Sequence, residues 1–69
     1  MEILAERLFM LRKERNLRQE DAAKGIGISF NSYRRYEHNE REPDAPVICA
    51  MADYFGVSTD FLLGRTDQR

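Results

Sequence analysis

The sequence contains a single cysteine among its 69 residues, so neither an intrachain disulfide nor a cysteine-based zinc cluster can form. No apolar run approaches the roughly 20 residues that a membrane-spanning helix requires. The N-terminal segment carries charges at Glu2, Glu6 and Arg7, where a signal peptide has its apolar centre. Repeats, low-complexity tracts and linkers are also absent. These absences argue against a secreted, disulfide-stapled mini-protein and favour one cytoplasmic domain over residues 1–69, with no membrane partner.

Histidine is as scarce as cysteine, with one residue of each. The lone histidine, His38, is expected to be solvated, and Cys49 has no base near it in sequence, so we expect a buried structural cysteine. A chain of this length buries only about 60% of its unfolded surface, which leaves little material for the walls of a pocket. We therefore predict no enzymatic activity, no cofactor, no metal and no small-molecule site.

Charge is balanced overall but unevenly distributed. The formal net charge is −1, from 11 Lys+Arg and 12 Asp+Glu. Residues 12–41 carry eight positive and five negative side chains, whereas residues 42–64 carry four acids and no base. This asymmetry favours one basic and one acidic face, although ordinary solvated charge would give the same count. The predicted basic face contains Arg12, Arg18, Arg34, Arg35 and Arg41.

Hydrophobic spacing indicates helices and no strands, because apolar residues recur at helical intervals and no sustained alternation occurs. Cap residues such as Ser29, Asp44 and Ser58 divide the chain into short segments. We predict helices at about 3–15, 19–25, 30–38, 45–55 and 59–63, with a frayed tail at 65–69. The second and third helices are joined by a short turn containing Gly27, which is the arrangement of a helix-turn-helix.

Four segments of the chain carry a more specific pattern. They are LRKERNLRQEDAA (11–23), IGIS (26–29), RYEHNEREP (35–43) and MADYFGVSTDFLLGRTD (51–67). Each is a weak signal alone, but in this order and spacing they resemble the DNA-binding domain of the phage repressor and Cro type, also called the XRE family. The resemblance implies a compact all-α, five-helix, lambda-repressor-like domain that binds operator DNA, often as a dimer.

The resemblance also implies which side chains meet double-stranded DNA. By analogy with the family, the exposed side of the third helix reaches base edges, and residues around it contact phosphates. The side-chain chemistry agrees, because Arg can pair with guanine, Asn with adenine, and Phe can contact a thymine methyl group. The expected base contacts are Phe30, Asn31, Arg34 and Arg35. The expected phosphate contacts are Gln19, Arg18, Ser29, Asn39 and Arg41.

Two pairs of residues are expected to act within the domain. Arg12 and Glu37 occupy positions that resemble a family ion pair, although they could also be two unrelated surface charges. Ala22 stands where the family has a large aliphatic residue and Tyr33 where it has Ile or Val. We therefore predict that Tyr33 is buried and fills the volume that Ala22 leaves. Arg18 replaces the usual Thr cap of the second helix, which weakens its start by about 1 kcal/mol.

These features lead to the hypothesis of a transcriptional regulator, a repressor, that binds a palindromic operator as a homodimer. Phe61, Leu62 and Leu63 are consecutive apolar residues that one short helix cannot bury together. We predict that Leu62 lies in the core and that Phe61 and Leu63 form the dimer seam. The alternative is a protein-binding module of the same fold, such as an antitoxin or an anti-repressor partner. Salt-dependent binding to duplex DNA distinguishes the two.

Overall fold

The computed structural model describes all 69 residues and contains five helices and no strand. The helices are α1 (Glu2–Glu14), α2 (Gln19–Ile26), α3 (Phe30–Glu37), α4 (Ala45–Phe55) and α5 (Thr59–Leu62). The predicted five-helix fold is confirmed, and each helix begins and ends within one residue of its predicted position. None of the helices is both long and apolar enough to cross a membrane.

Local capping explains why the helix boundaries could be placed so closely. Ser29, Asp44 and Ser58 are extended residues whose side-chain oxygens accept hydrogen bonds from the backbone N–H three positions later, at 3.1, 3.1 and 3.0 Å. Each bond satisfies one of the N–H groups that a helix start leaves without a partner. At the other end, Gly27 and Gly56 terminate α2 and α4 in the left-handed conformation that glycine adopts readily.

The core collects one face of α1 together with large side chains from the other helices. Leu4, Leu8 and Leu11 follow helical spacing and are almost completely buried. Tyr33 and Phe55 are the largest of the fully buried side chains. α1 packs against α3 and α5, and α2 packs against α3 and α4, so every helix contributes to one core.

Ala22 on α2 and Tyr33 on α3, the two residues that differ in size from the family pattern, are both buried. Tyr33 and Ala22 are both inaccessible to solvent and belong to the same core cluster. The prediction that Tyr33 is buried is confirmed, and the bulky ring and the small residue belong to one core; that the ring fills the volume left at Ala22 stays a prediction. Tyr33 is thereby excluded from the side chains that α3 offers to a ligand.

The prediction of a buried cysteine is wrong, because Cys49 is exposed. The buried stripe of α4 consists of Met51, Ala52 and Phe55. At about 100° per residue, position 49 lies about 110° from the centre of this stripe and so falls outside it. Its apolar neighbours in sequence therefore say nothing about its own burial.

The predicted seam in α5 is wrong for Phe61, whose ring is covered within its own chain. Phe61 is 4% exposed, and the Arg7 guanidinium carbon lies 4.1 Å from the ring centre, with that of Arg69 at 5.6 Å. Leu62 is fully buried as predicted. Leu63 is half-buried and keeps part of its surface at the solvent, so its place in a seam stays a prediction.

The tail at 65–69 is held against the domain, which corrects the prediction that it frays. Arg7 donates hydrogen bonds to the backbone oxygens of Phe61 and Thr66, the second at 2.6 Å, and to Asp67 at 2.9 Å. Further along α1, the Glu14 carboxylate accepts two hydrogen bonds from Arg69. The tail contains no apolar residue that could pack into the core. It is held instead by hydrogen bonds that arginine side chains donate to its carbonyl and carboxylate groups or that bind it to α1.

Candidate nucleic-acid interface

Three residues connect α2 to α3. Gly27 has a φ of +93°, and the N–H groups of Gly27 and Ile28 both donate to the Ala23 carbonyl, at 2.9 and 3.0 Å. These bonds satisfy the end of α2 while the chain reverses direction. Ser29 then caps α3, which packs against α2. The connection is therefore a helix-turn-helix in geometry as well as in sequence.

One side of α3 faces away from the core. Phe30, the first helical residue, is 50% exposed, and Asn31 beside it is exposed as well. Arg34 and Arg35 follow one turn later and are half-buried, whereas both tyrosines of the helix are buried. A half-exposed phenylalanine next to an amide and two guanidinium groups forms a surface with apolar, neutral polar and cationic chemistry within about two helical turns.

The two arginines of α3 differ in what they contact. Arg34 Nη2 donates a hydrogen bond to Asn31 Oδ1 at 3.0 Å. The Arg35 side chain makes no hydrogen bond, ion pair or ring contact with the rest of the chain, whereas Arg12 and Arg18 are paired with carboxylates. The guanidinium donors of Arg35 are thus all available to a ligand.

The predicted contact between Arg12 and Glu37 is present, and it is buried rather than exposed. The Arg12 Nη2 to Glu37 Oε1 distance is 2.7 Å, and Nε lies 2.9 Å from Oε2, so the pair is bidentate. The side chains are 11% and 2% exposed, respectively. Burial by itself raises the pKa of Glu37, but the hydrogen bonds from Arg12 and its other neighbours, together with the Arg12 charge, outweigh this effect and hold that pKa below its usual range. The charge of Arg12 is consequently neutralised inside the domain and does not belong to the predicted basic face.

The Tyr33 side chain packs beside this ion pair. Its hydroxyl oxygen is buried and makes no well-formed hydrogen bond. Burial, reinforced by the neighbouring Glu37 carboxylate, raises the pKa of Tyr33 far above its usual value. Tyr33 therefore remains neutral and acts as part of the core.

Gln19, the first residue of α2, has its side-chain amide engaged within the chain. Its Nε2 atom lies 3.3 Å from Glu37 Oε1 and 3.3 Å from His38 Nε2. An amide nitrogen is a donor, so the Gln19 N–H groups are directed at the end of α3. The backbone N–H groups of Gln19 and Glu20 have no partner in the chain, as is usual for a helix start. A phosphate would thus find free backbone donors here, whereas the Gln19 amide would have to turn.

The other predicted phosphate contacts occupy exposed positions around the helix-turn-helix. Arg18 is paired with Glu20 at 2.8 Å and with Asp21 at 3.1 Å, and the hydrogen bonds that it donates to Asp21 hold the pKa of Arg18 above its usual range. Arg41 is exposed and its guanidinium carbon lies 5.6 Å from the Tyr36 ring centre. Ser29 uses its hydroxyl in the α3 cap, and Asn39 is exposed with a left-handed φ of +58°.

An open groove of about 500 Å³ lies where α1 meets the first residue of α2 and the end of α3. Gln19, His38 and the exposed Phe9 contribute to its lining. Its rim also carries the carboxylates of Glu2 and Glu6, which would repel a phosphate. The groove therefore marks one edge of the surface that DNA could approach.

A family profile described as "Helix-turn-helix" matches residues 8–62, which contain α2, the turn and α3. The chain belongs to this helix-turn-helix family. The predicted resemblance to the phage repressor and Cro type is confirmed, since a phage repressor structure shares the fold: that of the P22 c2 repressor with synthetic operator 9T. It superimposes with a TM-score of 0.81 at 29% identity, over 86% of this chain and 89% of that one.

Curated relatives from bacteria support the same family. The HTH-type transcriptional regulator ImmR of Bacillus subtilis is 33% identical over 64 residues, which is 93% of this chain and 50% of that protein. The cryptic phage CTXphi transcriptional repressor RstR of Vibrio cholerae is 40% identical over 62 residues, or 90% of this chain and 55% of that protein. The chain spans about half the length of the curated relatives it matches.

Within this helix-turn-helix, sequence reasoning did not anticipate two sets of contacts. The bond between Arg34 and Asn31 could have been suspected from their i, i+3 spacing on one helix face. The engagement of Gln19 by Glu37 and His38 has no sequence signal, because these residues are 18 and 19 positions apart and meet only through the packing of α2 on α3.

Proposed function

We propose that this chain binds double-stranded DNA in a sequence-dependent manner and regulates transcription as a repressor. The observation that carries the proposal is the exposed side of α3, where Arg35 has no partner within the chain and lies one turn from Asn31 and Phe30. The relatives are named transcriptional regulators and repressors, and the P22 c2 repressor was solved with an operator. These are names of transcriptional regulators and not of enzymes, and a regulator of bacterial DNA acts in the cytoplasm, which supports the same location for this chain.

α3 enters the major groove, which is wide enough for one α-helix. There Arg35 donates to guanine N7 and O6 as a planar fork, and Phe30 contacts a thymine methyl group. The exposure of Phe30 supports this role, because an aromatic ring left in water gains by contact with the apolar methyl. Asn31 and Arg34 lie between them and complete the base-reading surface.

Phosphate contacts fix the position of α3 in the groove. The free backbone N–H groups at the start of α2 receive one phosphate, assisted by the positive end of the helix dipole. Gln19 joins them by turning its amide away from Glu37 and His38. Arg18, Ser29, Asn39 and Arg41 contact the neighbouring phosphates.

The regulator acts as a homodimer on a palindromic site. A single recognition helix reads only a few base pairs, and two copies reading half-sites about 34 Å apart supply the missing specificity. The acidic, base-free stretch of residues 42–64 suits a surface that faces away from DNA. Leu63 is partly exposed and could contact the second copy, whereas Phe61 is buried in the core of its own chain.

The experiment is selection of bound sites from random duplexes, followed by titration of the best site with three variants. Arg35→Ala is expected to lose about 1–3 kcal/mol of binding free energy on the best site and to relax the preference at one base pair. Gln19→Ala is expected to weaken all sequences alike, because a phosphate carries no sequence information. Arg65→Ala, which removes an unpaired arginine outside the helix-turn-helix, serves as the matched control and should change affinity least.

The same measurements separate the alternative function. A module that binds only proteins would enrich no duplex sequence and would show no linear fall of log K with log salt. If Arg35→Ala lost the same binding free energy on every duplex sequence, Arg35 would contact a phosphate and not a base. A selected site without two-fold symmetry, bound by one copy, would overturn the homodimer.

A further inference from the structure

The hydrogen bond between Arg34 and Asn31 has a consequence for which base Asn31 recognises. Asn31 is the exposed amide of α3, and its Oδ1 atom accepts a hydrogen bond from Arg34 Nη2 at 3.0 Å. Both residues lie on the same helix face, three positions apart, so the contact needs no distortion of the helix. The hydrogen bond therefore favours one orientation of the amide before DNA arrives.

An unrestrained asparagine recognises adenine by accepting from N6 and donating to N7. In this chain Oδ1 already accepts from a guanidinium group, which occupies one of its two lone pairs, and the positive charge beside it repels the positive end of a second donor. The Nδ2 donors are unaffected and remain free. The side chain thus offers two free Nδ2 donors and an Oδ1 acceptor with one of its two lone pairs occupied.

We infer that Arg34 is a positioning residue that makes Asn31 select guanine instead of adenine. Guanine presents two acceptors, N7 and O6, in the major groove, whereas adenine pairs one acceptor with a donor. The positive charge of Arg34 next to the amide further favours the base with two acceptors. The inference rests on the proposed function, since it concerns the base that α3 reads.

The alternative within the same helix is that Arg34 reads guanine directly and Asn31 is a bystander. The two cases differ in which variant abolishes the guanine preference. If Asn31 is the reader, Asn31→Ala removes the preference at that base pair. If Arg34 is the reader, Asn31→Ala leaves guanine in place.

The test is selection of bound duplexes with the chain and with Arg34→Ala, Arg34→Lys and Asn31→Ala, and Arg65→Ala as the control for loss of one arginine. We expect the unaltered chain to select guanine at the Asn31 base pair. Arg34→Ala should shift that base pair toward adenine by about tenfold, in line with one base contact. Arg34→Lys keeps a charged donor and should retain guanine, because only one hydrogen bond is needed.

Two results would overturn the inference while leaving DNA binding intact. One is an unchanged base preference in Arg34→Ala. The other is retention of guanine in Asn31→Ala together with its loss in Arg34→Ala. By contrast, an unaltered chain that enriches no sequence at all would overturn the proposed function itself, and this inference with it.

Discussion

Glu37 is the charged residue that the fold buries, and donors from two helices surround its carboxylate. Arg12 binds it in a bidentate manner, and Gln19 adds a longer hydrogen bond. Glu37→Gln should lower the free energy of unfolding by about 3–5 kcal/mol, because the Arg12 charge would remain buried without its partner. Glu40→Gln, at an exposed carboxylate nearby, should change it by less than about 0.5 kcal/mol in the same denaturant titration. Similar losses in the two variants would contradict the buried-pair interpretation.

The same pair predicts how stability depends on pH. Burial raises the pKa of Glu37, but the hydrogen bonds outweigh it, so the pKa in the folded state lies below the unfolded value. The stabilisation is therefore fully present above the unfolded pKa of about 4.3 and is lost as the pH falls through the folded pKa. Unfolding measured across the acid range should show a smaller pH-dependent loss in Glu37→Gln than in the unaltered chain. Glu14 and Asp21, whose pKa values are also lowered, titrate in both proteins and cancel in the difference.

At the scale of elements, α2 and α4 approach each other closely where Gly25 meets the ring of Tyr54. A Cβ atom added at Gly25 would overlap the Tyr54 ring at Cε1. Gly25→Ala should destabilise the domain by about 1–3 kcal/mol through overpacking, although alanine favours a helix by about 1 kcal/mol over glycine. Denaturant unfolding of the variant measures the net effect.

The control for this prediction is the same substitution in a Tyr54→Ala background. With the ring removed, only the helix preference remains, so Gly25→Ala should become stabilising by about 0.5–1 kcal/mol. The change of sign isolates the contact between the two helices, as in a double-mutant cycle. A destabilisation that persists without the ring would show that Gly25 is required for another reason.

At the scale of the whole molecule, Arg7 joins the first helix to the last residues of the chain. Its guanidinium group covers the Phe61 ring and binds two carbonyl groups, and the Arg69 carbonyl in turn accepts from the Ser58 N–H at 2.9 Å. Arg7→Ala should lower the free energy of unfolding by about 1.5–3 kcal/mol. It should also speed hydrogen exchange at the Ser58 amide, which depends on the tail.

The reference for the exchange measurement is the Gly27 amide, whose N–H donates a hydrogen bond to the Ala23 carbonyl within the helix-turn-helix. Its exchange should change only as much as global stability does, and the DNA sites selected by Arg7→Ala should match those of the unaltered chain. An equal acceleration at Gly27 and Ser58 would mean that Arg7 supports the whole domain and not the tail in particular.

Much of the fold was readable from the sequence because its determinants are local. Cap residues such as Ser29 and Asp44 act within four positions, and helical periodicity selects the buried leucines of α1. The family pattern added one long-range contact, the pair between Arg12 and Glu37. The exposed side of α3 followed from the same periodicity, since Tyr33 and Tyr36 take the inner positions.

By itself, the sequence determined the five helices, the turn at Gly27 and the side chains that α3 turns outward. Only the tertiary structure decided that Phe61 is covered, that the tail is held and that the Gln19 amide is engaged. These contacts join residues as far as 60 positions apart, and they depend on how the helices pack rather than on any local preference. A polar side chain such as Arg7 carries no mark in the sequence that tells whether water or a distant carbonyl group receives its hydrogen bonds.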